Sequence, residues 1–171
     1  IIIVDDGSDS ATKELITQTI EHHHNIQLMT LEENQGKGGA IIAGLYAAQT
    51  SHYTHALQID SDGQHNIADA PLLLEMARNK PDTLISGSPL FDESVPKGRL
   101  YARYITHIWV WIETLTFKIK DSMCGFRVYP IKASTQLLNQ YQPGKRMDFD
   151  IEVMVHYYWR YGKVEFLPTP V

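Results

Sequence analysis

The chain has 171 residues, 43% hydrophobic and 20% charged, with 15 Lys and Arg against 20 Asp and Glu and a net charge of −5. That length suits one domain with a sizeable core, and the acidic balance argues against a nucleic-acid partner, which calls for a basic face. A single cysteine, Cys124, excludes a disulfide framework and a Cys-based zinc site, and no apolar run approaches the ~20 residues of a membrane span.

Ile1 to Val4 reads as a buried strand, and Ala11 to His23 as a helix with Ile16 and Ile20 on one face and Asp9 or Ser10 as its N-cap. Ile26 to Leu31 is a second strand, followed by the glycine-rich turn Asn34-Gln35-Gly36-Lys37-Gly38-Gly39 and a helix over Ala40 to Gln49. A third strand, Ala56 to Ile59, ends at Asp60. A helix over Asp69 to Asn79 leads to a strand at Thr83 to Ser86 that runs into Gly87-Ser88-Pro89. Leu100 to Lys118 is a long, aromatic-rich helical stretch. Strand Phe126 to Tyr129, helices Ala133 to Gln140 and Asp150 to Tyr161, and strand Val164 to Leu167 complete the chain. Strands separated by helices imply right-handed βαβ units, hence an α/β fold with a mainly parallel sheet and helices on both faces. There is no internal repeat. The apolar opening and the uncapped close at Phe166 to Val171 predict a single domain over residues 1–171, cut at both ends from a longer polypeptide.

In open α/β sheets, ligands bind outside the carboxyl ends of the strands. Asp5-Asp6-Gly7-Ser8 follows the first strand, Asp60-Ser61-Asp62-Gly63-Gln64-His65 the third and Gly87-Ser88 the fourth. Carboxylates gathered on one rim repel one another, and a divalent cation offsets that repulsion; oxygen ligands suit Mg2+ or Mn2+. Asp60 and Asp62 sit at i and i+2, the spacing that points two side chains of an extended segment the same way. A magnesium-type ion fills the rest of its shell with water and substrate phosphates, so the expected ligand is a nucleoside diphosphate. The plain alternative for such a pair is a cap or turn. The turn at 34–39 precedes a helix whose free N–H groups favour anions, but it is neither a P-loop nor a dinucleotide fingerprint.

Taken together, Asp5-Asp6-Gly7-Ser8, Asn34-x-Gly36-Lys37-Gly38-x-Ala40, Asp60-x-Asp62-Gly63-Gln64-His65 and Gly125-Phe126-Arg127 resemble family 2 glycosyltransferases, in the family's order. The branch most similar is that of the polyprenyl-phosphate sugar synthases related to dolichol-phosphate mannose synthase. The resemblance runs from Ile1 to about Leu167. It implies a GT-A-type, Rossmann-like fold, a UDP- or GDP-linked sugar donor and Mg2+ or Mn2+ as cofactor. Carried over by motif, Asp5 and Asp6 would meet the base and ribose, and Lys37 would lie near the donor with Arg127 as a further donor-site residue. Asp60, Asp62 and Gln64 would form the metal side, Asp60 also reaching the nucleotide or sugar. Asp150 matches the family's general base, with Asp148 in reserve. If the acceptor is already a phosphate anion no base is needed, and Asp150 would orient instead. Helix N-capping is the structural alternative for both aspartates.

The chain departs from the family pattern in two places. It lacks the strand that usually precedes the first one here, with its Pro-x-x-Asn-Glu type motif. Pro89 also stands where the lipid-phosphate branch often has Arg, leaving Arg99 or Arg103 to supply that charge. The segments Asp121 to Arg127 and Arg146 to Asp150 resemble a bacterial subgroup associated with glycolipid or polyene-lipid assembly. The implied acceptor is a lipid phosphate, another lipid or a glycan, and the implied location is cytoplasmic, peripheral to the inner face of the membrane.

Several residues read plainly. The aromatic stretch 100–118 favours core packing, with a membrane-interfacial helix as its alternative. His22-His23-His24 is a solvated helix end, since three consecutive residues share no face. His65 is structural or beside the metal, Cys124 a small packed residue, and Arg127 and Arg146 each bind a phosphate or a carboxylate. Two rival functions remain: a nucleotide-sugar-binding or interaction module without catalysis, and a haloacid-dehalogenase-type phosphatase. The phosphatase is disfavoured because Gln64 replaces its Thr and the Asp pair lies upstream.

Overall fold

The structure is a computed structural model that describes residues 1–91 and 97–170. Its elements are β1 (Ile2–Asp5), α1 (Ser10–Ile20), β2 (Gln27–Thr30), α2 (Lys37–Thr50), β3 (His55–Gln58), α3 (Ala70–Asn79), β4 (Leu84–Leu90), α4 (Lys97–Thr114), β5 (Arg127–Pro130), α5 (Ile131–Gln140), α6 (Phe149–Tyr161) and β6 (Val164–Pro170). A short 3-10 turn, Ile67–Asp69, leads into α3. Every element expected from the sequence is present, with ends moved by a few residues. Asp9 caps α1, its carboxylate accepting from the Thr12 N–H at 2.8 Å.

The strands form a parallel pair, β1-β2, and a four-stranded sheet in the order β3-β5-β4-β6. The α/β class stands, and the sheet is mixed in detail. β4 and β6 run parallel, while β5 is antiparallel to both β3 and β4. The chain leaves α4 at Thr114 and returns through 115–126 to the carboxyl ends of β3 and β4, so it enters β5 from that end. In consequence Gln58, Ser86 and Arg127 come into register there.

Side-chain alternation along the strands divides the core in two. Leu84 and Tyr129 face a cluster with Leu45, Leu137, Phe149, Met154 and Tyr157, built by α2, α5 and α6. Their neighbours Ile85 and Val128 face the other side, where Leu73 and Ala77 of α3 join Cys124 and Phe126. Helices therefore cover both faces of the sheet. β4 continues past Ser86 through Pro89, because β6 pairs beside it as far as Leu90↔Pro170. Prolines at 168 and 170 are tolerated since β6 is the last strand of the sheet.

Helix α4 departs from the expectation of core packing. His107, Val110 and Thr114 are buried, whereas Tyr101, Tyr104, Ile105, Ile108, Trp109 and Ile112 are exposed. Those six recur at three- and four-residue steps, so the apolar stripe that periodicity reveals is the outward one. The helix also stops short of Lys118, ending before Leu115, whose φ is +51°. The side chain of Arg99 lies outside the described residues.

Candidate active site

The carboxyl ends of β1 and β3, the start of α2 and the first turn of α6 meet at one place. Lys37, in the first turn of α2, sends its ammonium to Asp60 Oδ2 at 2.6 Å and to Asp150 Oδ2 at 2.6 Å. Asp60 is further held by Gln58, whose Nε2 donates to Oδ1 at 3.0 Å while its Oε1 accepts from the Tyr129 hydroxyl at 2.9 Å. Burial by itself favours a neutral lysine. Asp150 and Asp60 outweigh it and hold the Lys37 pKa above the ordinary value, so the amine stays charged.

Asp150 is buried and lies between two cations. Its Oδ1 is 3.6 Å from Arg127 Nη1, and that guanidinium is fully buried. Arg127 donates to the carbonyls of Asp150 and Ser122, each at 2.7 Å, and so ties α6 to the 121–126 segment. Its place is thus inside the fold beneath the site. Asp148 is exposed, and its carboxylate does not cap α6. That carboxylate accepts from the Arg146 N–H at 3.1 Å and lies against Gly144.

Asp6 accepts from the N–H groups of Gln35 and Gly36 at 2.7 and 2.8 Å, which joins the end of β1 to the glycine-rich turn. Gly36 has φ +85°, and a Cβ there would stand 2.5 Å from the Lys145 carbonyl. Asp5 is buried; Oδ1 accepts from the Ser8 N–H at 3.2 Å, while Oδ2 has no hydrogen-bond partner. A buried, unpaired carboxylate oxygen at a strand end is a place for a ligand donor.

Among the described residues no group of three or more His, Cys, Asp and Glu converges on a metal position. Asp60 is committed to Lys37 and Gln58, whereas Asp62 is exposed, with one local hydrogen bond from the Gln64 N–H at 3.1 Å. A single free carboxylate fits an ion of the Mg2+ or Mn2+ type that takes most of its ligands from water and phosphate. His65 stacks on Phe126, with ring centroids 5.2 Å apart, and its Nε2 is 3.9 Å from Asp60 Oδ2. Gly125 leaves room for the Asp60 carboxylate: a Cβ there would stand 2.0 Å from Oδ2 and displace it.

A second feature adjoins this centre across the 121–125 segment. A cavity of about 160 Å³ is lined by Ser88, Arg103, Tyr104, His107, Trp111 and Lys120, among others. Asp121 anchors its wall, taking Arg103 Nη2 at 2.6 Å and the N–H groups of Met123 and Cys124 at 2.8 Å each. Burial pushes the Asp121 carboxyl up, but His107 and Arg103 together pull it below its ordinary value of 3.8. With the folded pKa depressed, this stabilisation is present above about pH 3.8 and is lost as pH falls through the lower folded value. Arg103→Ala should therefore cost about 2 kcal/mol at pH 7 and less once Asp121 is protonated. Melting curves at pH 7 and at a pH below 3.8 test this, and equal losses would show that the pairing contributes nothing.

The sequence singles out Asp5, Asp6, Lys37, Asp60, Asp62, Gln64, Arg127, Asp148 and Asp150 as candidates, and the structure brings Lys37, Asp60, Asp150 and Arg127 into one connected group. Sequence reasoning missed Gln58, which holds Asp60 from the last position of β3, two residues earlier. It also missed Glu152, which accepts from the Tyr141 hydroxyl and the Gly144 N–H.

Comparison with known proteins places this arrangement. The chain is 30% identical over 164 residues to a dolichyl-phosphate beta-glucosyltransferase of Dictyostelium discoideum, covering 90% of this chain and 49% of that protein. It is 29% identical over 168 residues to the human dolichyl-phosphate beta-glucosyltransferase, covering 90% and 50%. The chain thus spans about half the length of the curated relatives it matches. Among solved structures, the Mycobacterium tuberculosis glucosyl-3-phosphoglycerate synthase in complex with Mn2+ and UDP-glucose superposes with a TM-score of 0.72 at 15% identity, over 99% of this chain and 58% of that one. Staphylococcus aureus TarS in complex with UDP-GlcNAc gives 0.62 at 16%, over 97% and 46%. These likenesses show the GT-A fold. With residues 1–153 matching the Glycosyl transferase family 2 profile, the chain belongs to that family.

Proposed function

We propose that this domain transfers a sugar, with inversion, from a UDP-linked donor to a polyprenyl-phosphate acceptor at a membrane surface. The observation that carries the reading is Lys37 held at 2.6 Å by both Asp60 and Asp150, a charged amine fixed at the start of α2 where the strand ends open. Asp5 and Asp6 bind the nucleoside, the unpaired Asp5 oxygen taking a donor from it. Asp62, with Gln64 beside it, would hold Mg2+ or Mn2+ together with the donor's phosphates. Such an ion would stabilise charge on the departing diphosphate.

The acceptor phosphate sits in the cavity at Arg103, His107 and Lys120. An acceptor oxygen attacks the anomeric carbon from the face opposite the diphosphate, and the bond to UDP breaks with its electron pair leaving on UDP. An anionic acceptor has no proton to lose, so Asp150 orients Lys37, with Asp148 outside the reacting centre. The outward stripe of α4 supports a lipid acceptor. Segment 97–120 carries five basic residues against one acidic in a chain of net charge −5, which suits an anionic membrane surface. None of the described helices is long and apolar enough to cross a membrane.

Calorimetric titration of UDP and of GDP, with and without Mn2+, tests the reading. Mn2+-dependent binding of UDP, lost in Asp62→Ala, is the expected result. Equal binding without metal would remove the ion from the site. No binding of either nucleotide would sink the transferase reading and favour an interaction module.

A further inference from the structure

Residues 141–148 cover the start of α2, and Glu152 anchors them from α6. Glu152 Oε2 accepts from the Tyr141 hydroxyl at 2.9 Å and from the Gly144 N–H at 2.8 Å. The Tyr141 ring stacks on His156, one turn further along α6, at 3.5 Å between centroids. Burial and then the Glu152 carboxylate raise the Tyr141 hydroxyl to a pKa of about 12, so it remains a donor at neutral pH. From this anchorage the segment reaches the glycine-rich turn. The Lys145 carbonyl accepts from the Gly39 N–H at 3.1 Å, and Lys145 Nζ donates to Gln35 Oε1 at 2.9 Å.

The packing leaves no room for error. A Cβ at Gly38 would lie 2.9 Å from the Gly144 carbonyl oxygen, and one at Gly36 would lie 2.5 Å from that of Lys145. The N-cap of α2, Gly36, has no side chain with which to bond the free N–H groups of the first turn, so the Lys145 carbonyl supplies one partner. Next in line, the Gln35 and Gly36 N–H groups hold Asp6. Glu152, Gly144, Lys145, Gly39, Gly36 and Asp6 thus form one continuous chain of contacts.

We infer that Glu152 is a positioning residue for the donor: by holding residues 141–148 on the start of α2, it sets the glycine-rich turn and Asp6 where the nucleotide binds. Asp150 and Glu152 lie two positions apart on α6, and two helical steps turn about 200°, so they face different neighbours. Asp150 meets Lys37 and Glu152 meets the covering segment, both carried by one helical turn. This inference rests on the transferase reading for its kinetic part alone; the holding of the segment is independent of any reaction.

The test compares Glu152→Ala, Glu152→Gln and Tyr141→Phe in two assays. Amide hydrogen exchange of the ligand-free protein reads the segment. Glu152→Ala should exchange faster at 142–147 and 35–39 with the β4–β6 amides unchanged, while Glu152→Gln, which keeps an acceptor oxygen, stays close to the wild type. Kinetics with UDP-glucose read the donor. Glu152→Ala should raise KM about tenfold with kcat within about threefold, Tyr141→Phe about threefold in KM, and Glu152→Gln should recover most of the loss.

Unchanged exchange in Glu152→Ala overturns the inference, as does a fall in kcat at constant KM, or a Gln variant no better than Ala. If Glu152→Ala does not fold, Tyr141→Phe and Glu152→Gln decide by the same readouts. If the wild type turns over no UDP-glucose, that sugar nucleotide is not its donor, while the exchange result still upholds or overturns the holding role.

Discussion

Asp150→Asn should lower kcat by about 10²-fold, Lys37→Met by a similar factor, and the double variant by no more than the worse single one. The reason is that the two side chains are one device. Burial pulls the Lys37 pKa down and the two carboxylates push it up, Asp150 contributing more than Asp60. Removing Asp150 leaves Lys37 with Asp60 alone and frees the ammonium to swing from its place between the two carboxylates. Removing Lys37 leaves Asp150 buried beside Arg127, with the Lys37 cation gone from the site. Steady-state rates for the four proteins give the coupling directly, and independent, multiplying losses would show that the residues act separately. The same series distinguishes orientation from base catalysis. With a phosphate acceptor, the Asp150→Asn pH–rate profile should keep the wild-type shape, whereas loss of its ascending limb would make Asp150 a base.

Arg127→Met should destabilise the fold by about 3–5 kcal/mol, the range for breaking a buried charge pair by removing one partner. The side chain is fully buried, and its two terminal nitrogens satisfy the carbonyls of Ser122 and Asp150. Methionine fills much of the volume but leaves the Ser122 carbonyl without its donor and Asp150 with Lys37 as its remaining cation. For a chain of this size the loss corresponds to a Tm lowered by about 10 °C. Arg127→Lys should recover less than half, because a single ammonium cannot span two carbonyls as the planar fork does. A loss under about 1 kcal/mol for Arg127→Met would show that the guanidinium is not what ties α6 to the 121–126 segment.

The contrast between Asp150 and Arg127 shows how far motifs carry. Both were legible as candidates, but only the structure separates their tasks. The sequence leaves Arg127 open to a phosphate or a carboxylate, and in the fold it binds two carbonyls and faces Asp150. Asp148 and Asp150 share a segment and a residue type, yet one is exposed and one buried. On a helix, two positions turn the side chain to another side, and which side faces the sheet depends on what packs there. The α4 stripe taught the same lesson in reverse. Periodicity located Tyr101, Tyr104, Ile105 and Ile108 on one face, but a period carries no information about whether that face meets protein or an outside surface.

Strand runs, helix periods, the Asp9 cap and the glycine-rich turn are local properties, written in residue size, polarity and backbone freedom within a few positions, and they were readable in chain order. So was the grouping of Asp5, Asp6, Asp60 and Asp62 at strand ends, since side chains follow the strands that carry them. The reversed direction of β5, the Lys37–Asp60–Asp150 contact and the hold of Glu152 on residues 141–148 join positions that lie far apart along the chain or on turns with no period. Such contacts are set by which faces pack together, and packing is a property of the folded whole.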